Sequence, residues 1–385
     1  MATSRLDFLD GFRGWLAVWV FLGHAASATM FRAPLLDAPA KAVDLFMIIS
    51  GFLMMHHYRE RQANQPWESP ATWRNFWLRR FFRIAPLYYL LLTVSIVFGG
   101  TFYSLMSEFL RGHVSAQPGG APVADAILHY SFLFGLFPGH CATMPIPDWS
   151  IALEMQFYAL FPFLALAMRR FGPLATGLTA ALVTVISSRF LWQVYDTEHP
   201  KLLGSFVQPS LIVLKIGLFF VGMIGAEAMA LSKRGHPAAA WTGIVALLLA
   251  AAVASKVVLA VTAILLILAL SSTGRLAAGE KFFAGLRHFL GSRFSGFLAA
   301  RSYSLYLSHT LVLFAVGVWL DRWPWFAAAA PFPRFAVLSA ACTAILLPVT
   351  WLLFVGVEAP GIEWGRRWSR ARAALNVELP AVASS

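Results

Sequence analysis

The chain has 385 residues, of which 59% are hydrophobic and only 12% are charged. Soluble domains usually carry about 25% charged residues, so this composition excludes an ordinary soluble protein and predicts an integral membrane protein. The formal net charge of +12 does not indicate nucleic-acid binding, because the basic residues lie in short loops between apolar segments, as the positive-inside rule predicts.

A membrane-spanning helix needs about 20 mostly apolar residues. On that criterion the sequence predicts an all-α polytopic membrane protein with about ten transmembrane helices. The predicted spans are 11–30, 42–58, 84–100, 149–168, 173–192, 210–231, 237–254, 256–271, 302–320 and 335–356. The apolar segment 126–138 has about the length of a re-entrant segment. The boundary at Ser255–Lys256 leaves almost no loop between two short spans.

The distribution of arginines predicts the orientation of the chain. Arginines crowd the loop 59–83, and Arg169 and Arg170 follow the span that begins near residue 149. Both groups lie in the cytoplasm only if 126–138 does not cross. We therefore expect both termini to be cytoplasmic. The sequence predicts a single membrane domain over 1–385 that ends in a short, flexible basic tail at 366–385.

The first predicted span, within LDGFRGWLAVWVFLGHAASA (9–28), contains Arg13 and His24. An ionisable residue inside a membrane helix is costly and indicates a functional site. Eleven residues correspond to about 16 Å of helix rise and leave the two side chains about 20° apart around the axis. The two groups then share a face that could line a channel. In the alternative, Arg13 pairs with Asp10 and His24 makes a hydrogen bond between helices.

Two further stretches carry candidate functional groups. Arg80 and Arg83 lie on one face of an incoming helix, where a guanidinium pair suits a phosphate-bearing ligand; the alternative is positive-inside charge. Glu154 lies one to two turns into a span, so it needs a partner or a function. Asp148 is expected at the outer interface, solvated or capping the helix, with Trp149 as an interfacial anchor.

The last two candidate stretches lie near the end of the chain. His309 falls near the middle of a predicted span and is either catalytic or a satisfied interhelical histidine. Its neighbour Ser308 is placed to hydrogen-bond between helices. Glu358 ends the final span and is expected to pair with a cytoplasmic arginine. Cys141 and Cys342 are far apart, without the spacing of metal ligands, and predict neither a disulfide nor a metal site.

Together, and in this order, these motifs resemble the acyltransferase-3 family of membrane acyltransferases. Arg13 and His24 fit its "LDGLRG…H" helix, and Arg80 and Arg83 fit its arginine–x–x–arginine motif. Three further stretches are similar to family motifs: VDLFMIISGFLM (43–54) to "FFVLSGFL", WSIALEMQFYALFP (149–162) to "WSLSVEEQFYLLFP" and SYSLYLSHTLVL (302–313) to "SYSLYLWHWP". The chain departs from these motifs at Phe12, Met155 and Ser308, which bears on acceptor preference.

The resemblance implies a multi-pass enzyme of the bacterial inner membrane. It would transfer an acyl group, most often acetyl, from cytoplasmic acetyl-CoA to a hydroxyl of an extracytoplasmic or envelope carbohydrate. Arg80 and Arg83 would hold CoA, and His24 would act as general base or transient acyl carrier. Arg13 would steer the thioester or stabilise developing charge. Glu154 would orient His24 or bind the sugar.

Substrate or supporting roles are expected for six residues: Asp148, Trp149, Ser150, Tyr303, Ser308 and His309. The expected partners are membrane lipids and the carbohydrate acceptor, with no nucleic acid and no metal. The alternative function is a secondary transporter or flippase for a carbohydrate or a lipid-linked sugar. Transporters of that kind often contain internal repeats, and the sequence shows no such symmetry.

Overall fold

The computed structural model describes residues 6–62, 66–110, 122–196, 208–274 and 279–378. Within these ranges the fold is all-helical. The principal helices are α1 (Asp7–Ala28), α2 (Ala40–Arg61), α3 (Pro70–Val97), α4 (Gly99–Phe109), α5 (Pro122–Tyr130), α6 (Trp149–Asp196), α7 (Ile216–Lys233), α8 (Ala238–Val253), α9 (Lys256–Ser271), α10 (Glu280–Leu290), α11 (Arg293–Asp321), α12 (Pro324–Ala327), α13 (Pro331–Leu353) and α14 (Ala359–Glu378).

Each of the ten predicted spans coincides with helix in the structure. Five described helical segments are long and apolar enough to cross a membrane: Pro70–Val97, Trp149–Arg189, Ile216–Lys233, Arg293–Asp321 and Pro331–Ser369. The apolar helices α8 and α9 are shorter, at 16 residues each. Helices α1 and α2 have 22 residues each, but they carry ionisable side chains within their length.

Two predicted helix boundaries are confirmed. The break at Ser255 is present because the Ser255 hydroxyl accepts a hydrogen bond from Val258 N and caps α9. The boundary between the fourth and fifth predicted spans lies at Gly172, whose φ of 83° no helical residue adopts, followed by Pro173. Segment 126–138 contains the end of the nine-residue α5, one short 3₁₀ turn and the start of a second, which is too little continuous helix to span a bilayer.

Other boundaries differ from the prediction. Helix α3 begins at Pro70, well before the predicted start of the span at residue 84, and it includes Arg80 and Arg83, which were expected on an incoming helix. The final span does not end near residue 356, since a π turn at Phe354–Glu358 joins α13 directly to α14. Residues 366–378 of the predicted tail therefore continue a helix, and 379–385 lie outside the described residues.

Helices α1 and α11 pack side by side and run in the same direction. In the first half of each helix Trp15 Nε1 donates to Ser295 Oγ over 3.1 Å. A Cβ atom on Gly14 would lie 2.6 Å from the backbone nitrogen of Ala299, so this contact requires glycine. Further along, the ring nitrogens of His24 and His309 meet. The partners are 280 residues apart for Trp15 and Ser295 and 285 apart for His24 and His309, and this similar offset defines a parallel register.

Helices α2 and α7 form a second parallel pair, and an ion pair lies near each end of it. Lys215 Nζ lies 2.7 Å from Asp44 Oδ1 at one end, and Arg59 Nε lies 2.6 Å from Glu227 Oε2 at the other. Both pairs are partly buried. A charge in this environment needs a partner, so the two pairs set the register of α2 against α7.

Replacing Lys215 by methionine is expected to lower the free energy of unfolding by about 1–3 kcal/mol, because Asp44 loses its charged hydrogen-bond partner. The double variant Lys215→Met with Asp44→Asn is expected to be more stable than Lys215→Met alone. Urea unfolding in detergent measures both values, with the exposed Lys256→Met as control. Equal losses in the single and double variants would contradict this role for the ion pair.

Candidate active site

A central pocket lies where α1, α2, α6, α7 and α11 converge. Its cavity volume is about 60 Å³. It brings together four residues selected from the sequence, namely Arg13 from α1, Ser150 and Glu154 from α6, and Tyr303 from α11. The remaining lining residues are Val43, Phe46, Met47, Ser50, Ile151, Phe219, Ser302 and Tyr306. A cluster of polar groups from helices far apart in sequence therefore lies inside an otherwise apolar bundle.

Glu154 is linked to the arginine motif through Tyr158, one helical turn further along α6. The Tyr158 hydroxyl donates a hydrogen bond to Glu154 Oε1. The guanidinium of Arg80 lies 5.4 Å from the centre of the Tyr158 ring and 5.7 Å from that of Phe76. These are cation–π distances, so aromatic faces hold Arg80 without neutralising it.

Arg83 lies close to the same pocket. The carboxylates of Glu154 and Glu358 both act electrostatically on its guanidinium, and Arg13 acts on Glu358. This part of the site therefore contains three guanidinium groups, from Arg13, Arg80 and Arg83, and the carboxylates of Glu154, Glu358 and the more exposed Asp10 act on them. A cluster of guanidinium groups suits an anionic ligand. Arg13 also lies 4.0 Å from Asp10, at the limit of an ion pair and as the alternative reading of the sequence predicted.

The second part of the site is a pair of histidines at the far end of the α1–α11 contact. His24 Nδ1 lies 2.7 Å from His309 Nε2. His309 is fully buried, whereas His24 is half-buried. Tyr306 connects this pair to the central pocket, because it lines the pocket and its carbonyl oxygen lies 2.7 Å from His309 Nδ1.

The structure corrects the expectation that Glu154 orients His24. Glu154 bonds to Tyr158, and the hydrogen-bond partner of His24 within the described residues is His309. Ser308 is also not an interhelical donor, since its hydroxyl bonds to Ser304 O in its own helix. The interhelical bond comes instead from Ser304, whose hydroxyl donates to Glu358 over 2.8 Å. Glu358 therefore accepts a hydrogen bond from a serine hydroxyl, and Arg83 and Arg13 act on it electrostatically.

Asp148 is buried, which corrects the expectation of a solvated or capping acid. His129 Nδ1 lies 2.9 Å from its Oδ2, and the Tyr88 hydroxyl donates to the same oxygen over 3.2 Å. Trp149 is also buried and does not lie exposed as an interfacial anchor. Asp148 thus belongs to a closed polar network that fixes the segment before α6 against α3.

Sequence reasoning missed several residues of this site. Tyr158 lies four residues after Glu154, a helical spacing from which the contact could be predicted. Tyr306 receives the Ser150 hydroxyl bond over 2.8 Å, but nothing in the sequence pairs these two residues. His129 and Asp125 occur in a segment without periodicity, so their burial could not be predicted. Among the described residues no group of three His, Cys, Asp or Glu could hold a metal ion.

Comparisons with known proteins agree with the motifs. The model of the family described as "Acyltransferase domain" matches residues 6–353. The acyltransferase MdmB of Streptomyces mycarofaciens is 30% identical over 201 residues, which are 48% of this chain and 48% of that protein. The putative membrane-bound transacylase BcsY of Komagataeibacter xylinus is 27% identical over 201 residues, covering 51% of this chain and 46% of that protein.

The peptidoglycan O-acetyltransferase OatA of Listeria monocytogenes is 27% identical over 128 residues, which are 31% of this chain and 18% of that protein. The chain thus spans about half, or less, of the length of these curated relatives. No solved structure matches the chain. The family match runs from α1 to the end of α13 and includes every residue of the central pocket and the histidine pair. The chain therefore belongs to the acyltransferase-3 family.

Proposed function

We propose that this protein transfers an acyl group, in the first place acetyl, from cytoplasmic acetyl-CoA to a hydroxyl of an extracytoplasmic carbohydrate. The observation that carries the proposal is the position of His24. Its imidazole is half-buried and held by His309, next to a pocket that contains Arg13 and Glu154. A hydroxyl acceptor needs a general base, and a positioned imidazole is the side chain that most often fills this role.

In the simplest route His24 takes the proton of the acceptor hydroxyl while the hydroxyl oxygen attacks the thioester carbon. The carbon–oxygen bond forms, the carbon–sulfur bond breaks, and the proton passes from His24 to the leaving CoA thiolate. In the second route a ring nitrogen of His24 attacks the thioester, so that a carbon–nitrogen bond forms, the carbon–sulfur bond breaks and the CoA thiolate leaves. The acceptor hydroxyl then attacks the acyl-histidine, the carbon–nitrogen bond breaks, and the hydroxyl proton passes through the freed imidazole to the thiolate. Arg13 lies about 16 Å from His24 along α1, so its proposed role is to steer the donor rather than to contact the reacting carbonyl.

The donor site is proposed at the arginine cluster. CoA carries several phosphates, and the clustered guanidinium groups of Arg13, Arg80 and Arg83 are donors that suit such an anion. Along α1, the eleven residues from Arg13 to His24 correspond to about 16 Å. The flexible pantetheine arm of CoA separates its phosphates from the thioester, so that phosphates at the arginines are compatible with a thioester that reaches toward His24.

The orientation of the helices supports the proposed sides of the membrane. Helices α1 and α11 are the first and ninth predicted spans, and α2 and α7 are the second and sixth. Each pair is parallel in the structure, as this numbering requires. If segment 126–138 crossed the membrane, α2 and α7 would run in opposite directions. We therefore propose that both termini are cytoplasmic. This orientation places the donor-site arginines Arg13, Arg80 and Arg83 toward the cytoplasmic side of the bacterial inner membrane.

The acceptor class is proposed from the relatives, since the name of one of them specifies peptidoglycan O-acetylation. The test is alkali-labile acetyl on envelope glycans of cells that lack the gene, with and without the wild-type chain. Membranes with the wild-type chain are also expected to release CoA from acetyl-CoA. No CoA release and unchanged glycan acetyl would overturn the proposal and favour the transporter or flippase.

Replacing Arg80 by alanine is expected to weaken acetyl-CoA binding roughly 10- to 100-fold, because a charged hydrogen bond contributes about 1.5–3 kcal/mol. Lysine at this position is expected to restore part of the affinity, since it keeps the charge but not the planar fork. Titration of the purified variants with acetyl-CoA measures both. The exposed Arg170→Ala serves as control, and wild-type affinity in Arg80→Ala would remove Arg80 from the donor site.

A further inference from the structure

The hydrogen bonds of His309 determine which of its nitrogens carries a proton. Its Nδ1 lies 2.7 Å from the carbonyl oxygen of Tyr306 and 3.2 Å from that of Leu305. Carbonyl oxygens only accept hydrogen bonds, so Nδ1 must be the protonated nitrogen. The side chain is fully buried, and none of the described carboxylates forms an ion pair with it. A buried imidazole without a counter-charge is neutral, which leaves Nε2 as a pure acceptor.

The state of His24 follows from that of His309. His24 Nδ1 lies 2.7 Å from the acceptor nitrogen Nε2 of His309, so His24 must donate from Nδ1. In a neutral His24 the unprotonated nitrogen is then Nε2. Free histidine in water prefers the opposite form, with the proton on Nε2. The α11 backbone therefore imposes the less common tautomer on His24 through His309.

We propose that His309 is a positioning residue that keeps the Nε2 lone pair of His24 free for reaction. Either route of the proposed function then uses Nε2 as the reacting nitrogen, to take the hydroxyl proton or to receive the acyl group. When His24 gains a proton on Nε2, the Nε2 atom of His309 accepts from Nδ1 and stabilises the cation. A neutral imidazole thus takes the place that a carboxylate occupies in a Ser-His-Asp triad.

The tautomer can be measured directly, without substrate. Nitrogen-15 NMR of the purified chain, with histidine labelled and His24 assigned by its loss in His24→Ala, distinguishes Nδ1–H from Nε2–H. The wild-type chain is expected to show Nδ1–H at His24. The variant His309→Leu removes the acceptor and is expected to shift His24 toward Nε2–H. The variant His309→Gln offers an amide oxygen near the former Nε2 position and is expected to retain Nδ1–H.

Activity supplies a second readout, which rests on the proposed function. His309→Leu is expected to lower kcat about 100-fold or more while KM for acetyl-CoA stays the same, because loss of the productive tautomer is that costly. His309→Gln is expected to stay within about 10-fold of wild type. His288→Leu, an exposed histidine on α10, is the matched control.

Three results would overturn the inference: Nε2–H at His24 in the wild-type chain, Nδ1–H retained in His309→Leu, or Nε2–H in His309→Gln. The first needs no variant, so a His309 variant that fails to fold does not remove the test. The NMR result is also independent of acyl transfer. Full transfer activity in His24→Ala would contradict the proposed function but would leave the tautomer assignment unchanged. Loss of activity in His24→Ala together with Nε2–H at His24 in the wild-type chain would refute only the role of His309.

Discussion

Cells that express His24→Ala are expected to acetylate their glycans at most at about one hundredth of the wild-type rate. Loss of a positioned general base usually lowers a rate about 10²- to 10⁴-fold. If the imidazole also carries the acyl group, the loss is greater, because no other described side chain occupies that position. The measurement is alkali-labile acetyl together with CoA release in membranes, normalised to the amount of inserted protein.

The exposed His288→Ala is the control for this variant, since it removes the same side chain outside the site. A monodisperse His24→Ala protein with wild-type activity would refute the mechanism. Acetyl-CoA supplied without acceptor then separates the two routes. A stoichiometric burst of CoA indicates an acyl-histidine, whereas the direct route releases no CoA until a hydroxyl is added.

The second large effect is expected at Gly222, in the contact between α7 and α2. A Cβ atom there would lie 1.8 Å from the carbonyl oxygen of Ile48 and 2.6 Å from the nitrogen of Phe52. Both are backbone atoms, which cannot move away by changing rotamer. Small residues allow membrane helices to approach this closely. Gly222→Ala is therefore expected to force the helices apart and cost about 3 kcal/mol or more.

The matching variant is Gly243→Ala on α8, where the added Cβ would meet Leu266 at an ordinary 3.5 Å. Size-exclusion chromatography and urea unfolding in detergent report the outcome. Gly243→Ala is expected to behave as wild type, whereas Gly222→Ala is expected to give little monodisperse protein. Equal stability of the two variants would show that the α2–α7 contact is looser than the structure indicates.

The presence of a helix was more predictable than the residue at which it begins. Apolar length alone locates the ten segments, and Ser255 and Pro173 mark breaks through ordinary cap and proline chemistry. The start of α3 was not predictable in the same way. Residues 70–83 are rich in Arg and Trp, so hydropathy places a loop there, whereas the backbone continues as a helix from Pro70. Hydropathy measures lipid compatibility, and it does not mark where a helix begins.

A similar distinction holds for the site. Several of its residues could be selected from the sequence, but their contacts could not be predicted. The cost of charge in lipid selects Arg13, His24 and Glu154 from the sequence, and two of these line the central pocket. The partner of each group depends on which helices touch and in what register. Helix periodicity alone gives no reason for His24 to meet His309 when Glu154 is equally available. The burial of Asp148 likewise depends on His129, which lies in a segment without a periodic pattern.

The parallel α1–α11 pair has a consequence for biosynthesis. The ribosome makes α1 before α11, and His309 follows His24 by 285 residues. At about 5–20 residues per second, α1 waits roughly 15 to 60 s before His309 is made. During that interval the newborn chain has neither its histidine pair nor the Trp15–Ser295 bond. The His24 tautomer proposed above therefore cannot be imposed on a nascent chain until His309 in α11 has been synthesised.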